Sequence, residues 1–333
     1  MVKTVGFDCL PPTRIAETTI RTITFPGGKR LLSMLFFSIP KISNSFRRTS
    51  PGKLTHAVFA AIVFVCVLGN SSADAQQLTS GSSGKQFRLE GVEAVPFQML
   101  NQQTQAKLQP VLEKPSIYRR LPKMAIECDA DYFRFLVRHP EVIVEIWKLM
   151  GVTKMNTSRI GPFQLQSDDG AGTLSDLELV YGDGEKHVFY GTGTYEGALL
   201  RKKLSGKCVL VLQTQHVVDA DGKPKAVSQL DVYLKVDNVA AGVIARTLQP
   251  LVGPTADHNF VESLRFVERL HDTTLRNGPG VQLMGDRLDI QPQVLDGFKQ
   301  VAGMAYERGN ETKVSSAGRR ISAAPQVRKF QSR

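Results

Sequence analysis

Beyond the first 75 residues, a leader treated below, the side chains able to do chemistry are few. They are His139, His187, His216, His258 and His271, with Cys128 and Cys208. Acid–base or nucleophilic catalysis needs such groups to converge on a carboxylate, a hydroxyl or a set of backbone donors. Their spacing supplies no such set. His139 precedes Pro140 in a break between apolar stretches and reads as a local cap or surface residue. His187 and His216 lie in strand-like runs beside apolar residues, where they either face a cavity or sit satisfied within a sheet. Asp257-His258-Asn259 reads as a helix start with Asp257 as its cap, rather than as an acid–base pair. No GxSxG, HExxH, Walker or Rossmann pattern occurs. The glycines of GTGT and TYEGALL lack the strand–loop–helix context that phosphate binding needs. Neither cysteine has a CxxC partner or a histidine at metal-ligand spacing. The chemistry reads as no catalytic residue, no metal and no cofactor, which directs attention to binding.

The leader decides what is left to fold. Ala57 to Leu68 is an apolar run too short for the roughly 20 residues of a spanning helix. Lys41, Arg47, Arg48 and Lys53 precede it. Ala73-Asp74-Ala75 follows, with small residues at -3 and -1 of a cleavage site before Gln76. Basic start, apolar middle and A-x-A end are the pattern of a secretory signal peptide. The expectation is an exported protein (periplasm, cell envelope or extracellular) cleaved at Ala75. Met34 opens a more compact leader than Met1 does.

Charge follows position. The chain carries a formal +11. Residues 1–75 hold nine Lys/Arg against three Asp/Glu, and 309–333 hold six against one. The stretch between holds 27 of each sign. Nucleic-acid recognition needs clustered phosphate contacts, and a neutral core argues against it. The basic tail suits weak contact with an anionic envelope surface.

The elements that must position any site follow from periodicity. Residues 76–96 are polar and Ser/Gly-rich at their start, and read as a flexible linker. A polar helix spans about 97–114, with Pro110 kinking or ending it. KMAIEC at 123–128 is a short strand. A helical stretch then breaks at Pro140 into pieces at about 131–138 and 140–150, closed by Gly151. Three Asp-Gly turns follow, around Gly170, Gly184 and Gly222, between apolar runs, which is a hairpin signal. About six antiparallel strands are expected in meander order: RIGPFQLQ, TLSDLELVY with a bulge, HVFYGTGTY, a run at 198–202, KCVLVLQTQHVV and KAVSQLDVYLKVD. Helical periodicity returns in 238–253 and in about 255–270, with Thr255 or Asp257 as cap. One more amphipathic helix spans about 292–307, through Val294, Leu295, Phe298, Val301 and Met304. Residues 271–308 read as an extension, and 309–333 as a disordered basic tail.

Strand, helical pair, antiparallel meander and long helix, in that order, resemble the helix-grip fold of the START-like (SRPBCC) superfamily over about residues 118–270. The resemblance implies an α+β domain whose curved antiparallel sheet grips the C-terminal helix. Between them it implies a cavity for a small apolar molecule or lipid. Trp147, Tyr190, Tyr195, Tyr233, Phe260 and Leu264 are the candidate lining residues. Gly191 and Gly193 leave one strand face bare, which either bends the strand or makes room for a ligand. The same layout places one strand between those of Cys128 and Cys208, about 10 Å of separation, beyond the reach of a disulfide. It therefore implies two buried free thiols. Other functions compatible with this fold are a filled-core interaction module and a cyclase-like enzyme. The latter would place His187, His216 or a Tyr in a wet cavity beside a carboxylate.

Overall fold

The computed structural model describes residues 75–196, 203–237 and 253–322, with backbone alone for 312–322. The expected leader, the run at 198–202 and most of the helix at 238–253 lie outside these residues. Among the described residues no helix is long and apolar enough to cross a membrane.

Nine strands form one antiparallel sheet: β1 (Gln76–Gln77), β2 (Ile117–Arg120), β3 (Met124–Glu127), β4 (Asn156–Gly161), β5 (Gln164–Asp168), β6 (Thr173–Gly182), β7 (Lys186–Tyr195), β8 (Leu204–Val218) and β9 (Pro224–Val236). The order is β1-β3-β9-β8-β7-β6-β5-β4, with β2 also on β9. From β4 to β9 the strands run as a meander, and β3 closes on the last of them. RIGPFQLQ, expected as one strand, instead comprises the end of β4, the turn at Pro162-Phe163 and the start of β5. The β6–β7 register shifts between Leu179 and Tyr181, the irregularity expected in that strand.

The Asp-Gly turns share a device. Asp168, Asp183 and Asp219 each accept backbone N–H bonds two to four residues on, at 2.6–2.9 Å. At Gly222, φ is +79°, a conformation that glycine adopts without steric penalty. Side chain and glycine together reverse the chain within a few residues.

Helices cover both faces of the sheet. On one face lie α1 (Lys85–Glu93) and α2 (Gln102–Glu113). On the other lie α3 (Ala130–Arg138), α4 (Pro140–Leu149), α5 (Pro254–Arg276), α6 (Gly278–Gly285) and α7 (Pro292–Ser322). The first face packs Leu108, Val111, Leu112, Tyr118, Val188, Val209, Val211 and Tyr233 into one cluster. The second packs the remaining helices around a larger one.

Several boundaries differ from expectation. The stretch 76–96, expected as a flexible linker, contains β1 and α1. Its low hydrophobicity concealed α1 because polar bonds anchor that helix. Arg88 donates to the Glu113 carbonyl at 3.1 Å, and Glu90 receives Arg120 at 2.6 Å. Pro110 neither ends nor replaces a turn of α2, which continues to Glu113. Of the tail expected to be disordered over 309–333, residues 309–322 continue α7. Within α7, Val294, Phe298, Ala302 and Ala305 form the buried stripe, at helical spacing.

Candidate functional site

Strand parity builds the site. Side chains alternate between faces, and residues opposite each other on neighbouring strands share a face. Leu165, Leu177, Gly191, Cys208 and Leu234 form one such row across β5 to β9. The next row is Ser167, Ser175, Gly193, Gly206 and Val236. On the other side of the Gly191 row runs Leu179, Phe189, Leu210 and Val232. Two adjacent rows thus carry glycine, serine and cysteine where the flanking row carries large residues. A Cβ on Gly191 would stand 2.6 Å from Cys208 Sγ, so even one methyl group does not fit at that point.

Above these small residues α5 presents Phe260, Leu264 and Val267, spaced by about a turn each. The α3–α4 pair adds Phe133, Leu136, Val137, Pro140 and Ile143. A largely apolar cavity of about 250 Å³ lies between them.

The helix is held by polar ties near its ends rather than by collapse of its middle. At the start, Arg119 Nε donates to Asp257 Oδ1 at 3.0 Å, and a second guanidinium nitrogen meets Oδ2. Asp257 is therefore not the expected helix cap. The helix begins at Pro254, and Gly253 in the capping position makes no side-chain bond. Toward the end, Glu268 Oε1 accepts the Glu127 N–H at 2.8 Å, and Thr274 shares a 2.9 Å bond with Tyr132. His271 Nε2 lies 3.2 Å from Asp129 Oδ2, which Arg308 also approaches at 3.1 Å. Burial raises the Asp129 pKa, but His271 and Arg308 outweigh it and hold the carboxyl below its ordinary range.

Of the candidate lining residues, Phe260 and Leu264 line the cavity. Trp147 is buried in the same cluster but packs edge-to-face on Phe266, with centroids 5.4 Å apart, instead of lining the space. Tyr195 stands one row beyond Ser175 and Gly193, against the core. Tyr190 and Tyr233 face the opposite side of the sheet. There the Tyr233 hydroxyl donates to the Arg88 carbonyl at 2.7 Å. The reason is parity. Tyr190 pairs with Val209 and Val209 with Tyr233, one residue out of step with the Gly191–Cys208–Leu234 row.

Phe133, Leu136, Phe189, Leu210 and Gly206 line the cavity without having been singled out. For Phe189 and Leu210 the signal was alternation, since they share a strand face with Gly191 and Cys208.

The histidines do not line the cavity. His187 is on the cavity face, but Arg138 Nε donates to its Nε2 at 3.2 Å. Burial, then the Arg138 charge, lowers its pKa to about 4. His216 packs edge-on to Phe133, and burial lowers it as well. His139 approaches Glu141, which Arg159 clasps at 2.6 and 2.9 Å. Burial would raise Glu141, yet these bonds hold it low. This cluster ties β4 to α4. His258 is exposed.

Cys128 and Cys208 are both buried and free. Cys128 bonds the Pro224 carbonyl while Cys208 pairs with Leu234, so about ten residues of β9, roughly 30 Å, separate them lengthwise. Burial pushes the Cys208 thiol up to about 12. Among the expected cleavage residues, Ala75 is buried and Gln76 opens β1 on the sheet edge; Ala73 lies outside the described residues.

The chain is thus an α+β protein of helix-grip layout, with an antiparallel meander folded against α5 and an apolar cavity between them. No protein-family model matches the sequence, and a search of curated proteins finds no match. Among solved structures it is similar to the crystal structure of the di-domain ARO/CYC BexL from the BE-7585A biosynthetic pathway. The TM-score is 0.25 at 14% identity, covering 48% of this chain and 52% of that one. The chain thus spans about half the length of that structure. The fold description rests on strand order and helix packing within the chain itself.

Proposed function

We propose that this chain is an exported START-like domain that binds a small apolar molecule or lipid between the sheet and α5. The cavity carries this reading. Protein interiors pack as densely as organic crystals, and voids larger than a water are few. A space of about 250 Å³ far exceeds the ~30 Å³ share of one water. It approaches the lower end of ligand pockets, roughly 300 Å³. Its apolar wall offers water few partners, while each methylene transferred into it contributes about 0.8 kcal/mol. The export part rests on the basic flank, apolar run and Ala73-Asp74-Ala75 box of the sequence.

A fluorescent apolar probe tests the binding. Ser263 lines the cavity from α5, and its hydroxyl bonds only its own helix, to the Asn259 carbonyl at 2.7 Å. Ser263→Leu should fill the space and lower probe affinity at least tenfold. Leu283→Ser, at an exposed position on α6, should leave affinity unchanged. Equal binding by all three proteins would contradict the reading. Mass spectrometry of the intact protein from its own cells tests export: the expected first residue is Gln76, and a retained upstream segment would contradict it.

A further inference from the structure

The cavity's own polarity narrows the ligand, and this step rests on the binding reading above. Among the described side chains that face the cavity, only the Cys208 thiol can ionise, and burial pushes it up to about 12. Two charged residues, Asp176 and Lys207, border the space, but strand parity turns them to the other face. Asp176 accepts a bond there from exposed Gln166 at 3.0 Å. Lys207 pairs with Lys235, whose ammonium donates to the Pro110 carbonyl of α2 on that same face.

Ser263 spends its hydroxyl on the Asn259 carbonyl of its own helix, and the other cavity-facing hydroxyls cluster on the sheet. Ser167 and Ser175 are directly paired across β5 and β6, in the row that continues through Gly193 and Gly206. The neighbouring Gly191 and Leu210 rows are apolar apart from the thiol, and the Leu212–Leu230 row beyond them reaches His187, which Arg138 engages and which does not line the cavity. Both serines are half-buried, and among the described side chains no cation faces this space, so a carboxylate drawn into it would lose part of its water shell without a countercharge from them, which is costly. A hydroxyl or carbonyl would exchange water for serine at little loss.

We infer that the ligand is an uncharged amphiphile with an apolar body on the Phe189–Leu210 and Gly191–Cys208 rows. Its single hydroxyl or carbonyl lies at Ser167 and Ser175. Fatty acids and other carboxylate ligands are discriminated against.

Decanol, decanoic acid and decane test this by titration calorimetry at mildly alkaline pH, where the acid is ionised. Decanol should bind at least tenfold tighter than decanoate. The double variant Ser167→Ala/Ser175→Ala should weaken decanol about tenfold while leaving decane unchanged. A variant that loses affinity for decane as well would show that the serines shape the cavity rather than read a polar end, which overturns the assignment. Decanoate binding as tightly as decanol overturns the inference and leaves the cavity reading standing. Failure of all three to bind overturns both.

Discussion

The two faces of the central sheet solve the same packing problem in opposite ways. On the α1–α2 face, strands meet large side chains and the space closes: Leu108, Val111 and Tyr233 have no exposed surface. Polar groups there are consumed by one another. Asp231, with no exposed surface, receives Arg120 at 2.8 and 3.0 Å and the Tyr118 hydroxyl at 2.6 Å. Arg120 in turn reaches Glu90 on α1. On the α5 face, the strands offer two rows of small residues, and the covering helix is fixed near its ends by Asp257, Glu268, His271 and Thr274. A space survives between. The cavity therefore arises where small side chains underlie a helix that is held from elsewhere.

The largest contrast should come from breaking the buried ion pair. Asp231→Ala removes the buried acceptor of Arg120 and Tyr118 and leaves the guanidinium only the exposed Glu90, at a cost of about 3 kcal/mol in urea unfolding. A loss under 1 kcal/mol would mean that face is not sealed. Leucine truncation compares the faces directly. Leu108→Ala should cost about 3–4 kcal/mol. Leu264→Ala, which enlarges a space that already exists and removes fewer contacts, should cost no more than about 2 kcal/mol. Similar losses would erase the distinction. Ser263→Leu should stabilise the chain by about 1 kcal/mol through cavity filling, whereas Gly91→Ala should destabilise it. A methyl group at Gly91 would run into the Tyr233 hydroxyl and the Asp231 carboxylate.

A smaller effect is expected with pH. His187 is held near 4 in the fold against an ordinary 6.5. Between those values the unfolded chain binds more protons, so stability falls as pH drops from 6.5 to about 4 and this group adds nothing further below. Glu141 and Asp183 also have lowered pKa values and lose their contributions as pH falls, but in the carboxylate range. The difference in Tm between wild type and His187→Gln should therefore shrink across the histidine window. A constant difference would mean that His187 titrates normally.

The order of elements was legible because turns and helix breaks are local. Asp-Gly pairs mark the hairpins, Pro140 divides α3 from α4, and the 3.6-residue stripe of Val294 and Phe298 marks α7. α1 was not legible, since Arg88, Glu90 and Gly91 earn its place through contacts with partners distant in sequence. The site was legible at Phe260 and Leu264, where helical spacing names one face. At Tyr190 and Tyr233 aromatic character and strand alternation point to opposite faces, and alternation decides. In 230–236 the run of Leu230, Val232, Leu234 and Val236 already placed Tyr233 on the other side. The small residues that make the cavity, Ser175 and Gly206, carry no signal until register sets them beside Gly193.

Native mass spectrometry of the purified chain, before and after organic extraction, tests the central claim most directly. The account predicts one apolar adduct per wild-type molecule, removed by extraction, restored by decanol and absent from Ser263→Leu. A wild-type chain that never carries an adduct, and takes up no decanol after extraction, would contradict it.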